Sequence, residues 1–168
     1  MDHCDECGFD YGSVDPDEVP DRLAEAAGKV TGLLNGDERA VRRRPSADVW
    51  SPLEYACHLR DVFLVQRDRV VRGLVERTPE FTPMHRDERV DIDRYAEQEP
   101  RQVAEELRIA ARLLGRTLAE RNNVDWDRRV VYSWPEPTER DLRWVAAHTV
   151  HEAVHHIGDI EAGLAASA

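Results

Sequence analysis

The sequence predicts an all-α protein with four long helices, the second and third joined by a long crossover. Three observations predict it. Apolar residues recur at three- and four-residue spacing through four segments, the period of a helix with one buried face. Start signals precede the segments: Asp15-Pro16, Ser51-Pro52 with Glu54, Pro100, and Thr138 with Asp141. The stretch 78–99 is long enough to span a helical bundle from end to end. At 168 residues, one domain with a real core is expected.

Residues 1–14 show no apolar period and read as an N-terminal arm, with the bundle over 15–168. The first helix starts at Asp15-Pro16. Val19, Leu23, Ala26, Val30, Leu33 and Leu34 form its stripe, and Asn35-Gly36 ends it. Residues 37–49 are polar, with Arg42-Arg43-Arg44-Pro45 read as solvated. In the second helix, Ser51 and Glu54 have capping-box spacing, Pro52 occupies the first turn, and the stripe runs to about Arg77. The crossover allows one short helix over Arg89–Glu97. The third helix begins at Pro100 and is expected to end near Asn122-Asn123. Val124–Pro137, with Val130-Val131-Tyr132, can hold a short extended stretch. The last helix opens at Thr138 and runs to about Ala165. It is apolar on two sides, and its second stripe, through Leu142, Ala146, Thr149, Ala153, Ile160 and Leu164, predicts a homodimer face.

A formal charge of −11 argues against nucleic acid and anionic membrane as partners. No apolar run approaches the roughly 20 residues of a membrane span, and the N-terminus lacks a signal peptide's apolar core, so a cytoplasmic protein is expected. Three cysteines make no disulfide framework. Cys57 lies in a helical pattern and reads as a small buried apolar residue. Cys4 and Cys7 stand in the arm as a lone Cys-x-x-Cys, which allows a second metal site or a redox pair but reads first as part of a loose N-terminal arm. Zinc there needs two more ligands, His3 and a distant residue such as His85. Because the core reads as complete without the arm, a lid or redox pair is the expectation.

Four of the seven histidines lie between His148 and Asp159. His151 and His155 fall about 40° apart on one helix face and can share one ion. His148 is one turn earlier on that side; His156 points elsewhere and is expected to be exposed. Metals that do chemistry commonly take three protein ligands and leave a position open. His58, two turns into the second helix beside Glu54 and Asp61, is the candidate third ligand; the alternative is a structural pairing with Asp61. Asp61 and Asp159 either orient imidazole N–H groups or are solvated helix carboxylates.

The segments Trp50-Ser51-Pro52-Leu53-Glu54-Tyr55-Ala56-Cys57-His58-Leu59-Arg60-Asp61-Val62 and His151-Glu152-Ala153-Val154-His155-His156-Ile157-Gly158-Asp159-Ile160, with Tyr95-Ala96-Glu97-Gln98-Glu99-Pro100, resemble the DinB-like superfamily. The resemblance spans roughly residues 15–165. It implies a four-helix bundle of unusual helix order and a divalent metal, zinc or nickel, on His58, His151 and His155. It also implies a thiol-dependent S-transferase in which the metal activates mycothiol or another low-molecular-weight thiol towards a small electrophile. The alternatives are a metal-dependent hydrolase using bound water and a non-catalytic, stress-associated metal-binding bundle. The Cys4/Cys7 arm departs from the family's pattern.

Overall fold

The computed structural model describes residues 3–119, 124–134 and 136–167. In chain order its helices are α1 (Val19–Leu34), α2 (Glu38–Arg42), α3 (Pro52–Val75), α4 (Arg86–Ile92), α5 (Pro100–Leu118) and α6 (Leu142–Ala165). Three short strands, β1 (Glu80–Phe81), β2 (Arg129–Tyr132) and β3 (Thr138–Asp141), form one sheet in that order. β1 runs parallel to β2, and β2 antiparallel to β3.

The helices begin where the local chemistry satisfies their first N–H groups. Asp15 caps a 3₁₀ turn over Pro16–Glu18 that leads into α1. At α3 the reciprocal capping box forms: Ser51 Oγ accepts from the Glu54 backbone N–H at 3.3 Å, and the Glu54 carboxylate accepts from the Ser51 N–H at 2.7 Å. Glu54 also accepts from Arg44 Nε at 2.8 Å, which ties the polar 37–49 stretch to α3. Asp141, rather than Thr138, caps α6, its carboxylate accepting from the Trp144 N–H at 2.7 Å. Thr138 belongs to β3, because residues 138–141 pair with β2 before the helix starts. The expected end of the third helix at Asn122-Asn123 lies outside the described residues; α5 runs to Leu118.

α1 packs against α5 and α6, α3 packs against the same two helices, and α1 and α3 meet only marginally. The first and second long helices, α1 and α3, therefore sit on a diagonal of the bundle, while α3 and α5 pack side by side. Leu23, Leu53, Leu59, Phe63, Leu107, Leu114, Leu142 and Ile160 fill the space between them, all essentially inaccessible. Truncating any one to alanine would cost about 2–5 kcal/mol. Gly73 sits where α3 meets the sheet: a Cβ there would stand 2.7 Å from Leu142 Cδ2 and 3.3 Å from Val130 Cγ1, so glycine is required for the approach.

The crossover is two pieces, not one helix over Arg89–Glu97. α4 ends at Ile92, and a separate 3₁₀ turn covers Tyr95–Glu97, because Arg94 takes a left-handed φ of 49°. It is locked to α3 through Asp61, whose carboxylate accepts from Tyr95 O–H at 2.6 Å and Arg60 Nε at 2.9 Å.

The second stripe of α6 is not a free face. Leu142, Ala146, Thr149, Ala153 and Ile160 are all buried within the single chain, where α1 and α3 cover α6. A homodimer through these residues is corrected accordingly: the diagonal placement of α1 and α3 puts a helix on each side of α6. Among the described residues no helix is long and apolar enough to cross a membrane.

Candidate functional site

α6 presents His148, His151, Glu152, His155, His156 and Asp159 to the first turns of α3, to the sheet and to the N-terminal arm. All of these but Asp159 line a cavity of about 830 Å³, within the range of small-molecule sites. Arg69, Arg86 and Arg140 stand in its wall with Trp134 and Trp144.

The arm is not loose. Phe9, Tyr11 and Val14 are buried in the main core. The Tyr11 hydroxyl lies 3.0 Å from His148 Nδ1, and its ring stacks on Trp144 at 5.7 Å. Phe9 sits edge-on to His151 with centroids 5.4 Å apart. The turn between Cys4 and Phe9 is closed by the Cys4 N–H donating to Phe9 O at 2.9 Å and the Gly8 N–H donating to Cys4 O at 2.8 Å.

The three histidines expected to share one ion do not fall in one group of ligand atoms. Of four overlapping groups among the described residues, His148, His151 and Glu152 make one and His155, His156 and Asp159 another, and the remaining two clusters bear on a metal here. His58, Glu152 and His156 form the first of these two: a ligand atom from each lies within 4.8 Å of the others. His58 Nε2 is 4.0 Å and His156 Nε2 3.7 Å from Glu152 Oε2. His151 and His155 belong to the other, together with Cys4 and Cys7. His156, expected to be exposed, is buried, because Tyr55 stacks on it at 5.4 Å and His58 lies edge-on at 4.9 Å. Asp159 accepts from His156 Nδ1 at 2.8 Å, a carboxylate–imidazole pairing that fixes the ring and leaves Nε2 to the cavity. Asp61 neither orients His58 nor is solvated: it is buried against Arg60 and Tyr95, and Arg89 Nη1 lies 3.5 Å away. His3 and His85 are in neither cluster; the partners brought to the two sulfurs are His151 and His155.

The electrostatics follow from burial and Glu152. Burial, reinforced by the nearby His156 charge, pushes His58 down to about 3. Burial lowers His148 to about 4. Burial opposes charge on His156 too, but hydrogen bonds to Asp159 and Glu152 outweigh it and raise the group to about 9. Against its own burial, Glu152 is held well below the usual carboxylate range by His151, His156 and His148. Cys4 is lowered to about 6, chiefly by the Cys7 backbone amide.

Hydrogen-bond satisfaction tests whether a metal suits these residues. Among the described residues the buried side-chain nitrogens without a hydrogen-bond partner are His58 Nδ1 and both ring nitrogens of His151. His151 Nδ1 is 3.5 Å from Glu152 Oε1, close enough for charge attraction but outside hydrogen-bond geometry. Orphaned buried imidazoles are rare, and metal coordination satisfies them. Two imidazoles and a carboxylate at His58, His156 and Glu152 are a fitting donor set for a divalent ion. Sequence reasoning passed over Glu152 and set His156 aside. The signal was present, since His151-Glu152-x-x-His155-His156 contains two interleaved i, i+4 pairs about 100° apart on the helix.

Residues 17–160 match the family model described as the DinB superfamily. The fold is similar to YfiT from Bacillus subtilis, described as a probable metal-dependent hydrolase with an unusual four-helix bundle topology. That match has a TM-score of 0.77 and 18% identity, and covers 90% of this chain and 88% of that one. No curated protein matches the sequence.

Proposed function

The chain belongs to the DinB superfamily, and on that premise we propose that it is a metal-dependent hydrolase whose ion is held by His58, Glu152 and His156. The observation that supports this most is the convergence of a half-buried carboxylate and two buried imidazoles from α3 and α6 in the wall of an arginine-lined cavity. When bound, a divalent ion in such a site acts as a Lewis acid and lowers the pKa of a bound water towards 7.

The chain's own groups do the rest. Asp159, accepting from His156 Nδ1, keeps that ring in the tautomer whose Nε2 faces Glu152. Burial keeps His148 neutral, and its Nε2 lies 3.7 Å from Glu152 Oε1. In the tautomer whose Nδ1–H donates to the Tyr11 hydroxyl, 3.0 Å away, His148 Nε2 is the atom left to take a proton from the attacking water. Arg86 and Arg140 at the rim favour an anionic substrate, with Trp134 and Trp144 providing apolar surface.

Thiol transfer is the second reading, and the cavity's 830 Å³ favours it, being large enough for a thiol and an electrophile together. The expected result separates the two. Protein loaded with Zn²⁺ or Ni²⁺ hydrolyses members of a panel of anionic aryl esters and amides. His156→Ala abolishes the activity, and His148→Ala lowers kcat by about 100-fold or more. Conjugation of mycothiol to a chlorobimane by the same protein, without hydrolysis of the panel, would overturn the assignment in favour of transfer.

A further inference from the structure

The second cluster shares no residue with the proposed ligands His58, Glu152 and His156, although His151 borders on Glu152 with Nδ1 3.5 Å from Oε1. Cys4, Cys7, His151 and His155 each offer a ligand atom, and these atoms lie within 4.8 Å of one another. Cys4 Sγ is 4.0 Å from His155 Nδ1. The arrangement has a local cause in the arm. Gly8 takes φ +72°, which reverses the chain directly after Cys7 and closes the hydrogen-bonded turn from Cys4 to Phe9. That turn brings both sulfurs against α6. On the helix, His151 and His155 are one turn apart.

We propose that Cys4, Cys7, His151 and His155 form a four-ligand zinc site that fastens the N-terminal arm to α6. Two observations beyond the clustering carry it. His151 is about nine-tenths buried, and neither of its ring nitrogens has a hydrogen-bond partner, so the ring is aimed at the sulfurs without its polar atoms being satisfied. The donor set is also selective. Two thiolates and two imidazoles in tetrahedral array are the ligands of structural zinc, and two thiolates neutralise the dication. With Zn–S near 2.3 Å and Zn–N near 2.0–2.1 Å, ligand atoms in such a site stand about 3.3–3.8 Å apart. The cluster therefore needs to contract by about 1–1.5 Å at its widest, within the reach of cysteine rotamers on a short turn.

Four protein ligands leave no open position, so this site is structural. It does not compete for the other ion, because Glu152 and His156 are the neighbouring i, i+4 pair. The ion would bridge residues 4 and 7 to residues 151 and 155, closing a loop of almost the entire chain.

The test is a cobalt titration of the metal-free, full-length protein, reduced with a phosphine and kept anaerobic. Wild-type protein is expected to develop thiolate-to-cobalt charge-transfer absorption in the near ultraviolet with intense tetrahedral visible bands. Cys4→Ser/Cys7→Ser should lose the charge-transfer band and bind one fewer zinc per chain by elemental analysis, with its helical circular dichroism unchanged. His58→Ala/His156→Ala should keep the charge-transfer band, so loss of the catalytic reading and loss of this site are read separately. A wild-type protein without thiolate-to-cobalt absorption would overturn the proposal. So would a double serine variant that binds as much zinc as wild type.

Discussion

His58 Nε2 and Glu152 Oε2 face each other across the α3–α6 contact at 4.0 Å, while His58 Nδ1 has no hydrogen-bond partner. A buried imidazole in that position is costly without a metal. Replacing His58 by leucine is therefore expected to leave metal-free stability unchanged or raise it by up to about 1 kcal/mol. The same change should weaken divalent-ion binding by at least about 10–100-fold. Thermal melts in chelator together with calorimetric zinc titration check both halves.

The Asp159–His156 hydrogen bond holds a charged imidazole in a buried place. Asp159→Asn removes the strongest group opposing desolvation. In the metal-free protein the His156 pKa should fall from about 9 towards its ordinary 6.5. An NMR titration of the ring resonances reads it, and an unmoved midpoint would show that Glu152 alone sustains the charge.

Tyr11 is the arm's anchor, by ring stacking and by its hydroxyl. Tyr11→Phe should cost about 0.5–1.5 kcal/mol, the worth of the bond to His148. Tyr11→Ala removes the ring from the core as well, and should expose residues 3–14 to rapid proteolysis while α1, α3, α5 and α6 stay folded. Limited digestion followed by mass spectrometry distinguishes the two variants.

Glu54 gives a pH dependence of known sign. Burial alone would raise its pKa, but Arg44 and the Ser51 cap outweigh it and hold the group below 4.5. The contribution is therefore complete above pH 4.5 and is lost as pH falls beneath it through the folded-state value. Glu54→Gln should lower stability by about 1.5–3 kcal/mol at pH 7, and the gap to wild type should narrow as the pH drops below 4.5. Urea denaturation at a series of pH values measures it.

The bundle was legible because helices announce themselves locally. The Ser51/Glu54 box and the apolar stripes need only neighbouring residues to be read. The sheet was less so: β1 has two residues, β3 is the polar Thr-Glu-Arg-Asp, and the pairing of β1 with β2 spans some 50 positions. The histidine motif was visible, but its division was not. A helical wheel places His151 and His155 together and equally places Glu152 and His156 together. Which pair meets His58 depends on where the arm docks and on Tyr55 covering His156. The arm itself has no period, so the burial of Phe9, Tyr11 and Val14 could come only from tertiary contact.

The contacts between the arm and α6 join residues 137 and 151 positions apart, Tyr11 to His148 and Cys4 to His155. Helix formation within each segment is fast and local, whereas contacts of such separation come late, since the entropy of closing the loop must be met first. During synthesis the arm emerges well before the last helix and must wait for it, with Phe9, Tyr11 and two thiols exposed meanwhile. Refolding followed at Trp144, against which Tyr11 stacks, should accordingly show a phase slower than the gain of helical signal. Removing residues 1–14 should abolish that phase and leave the helical one intact.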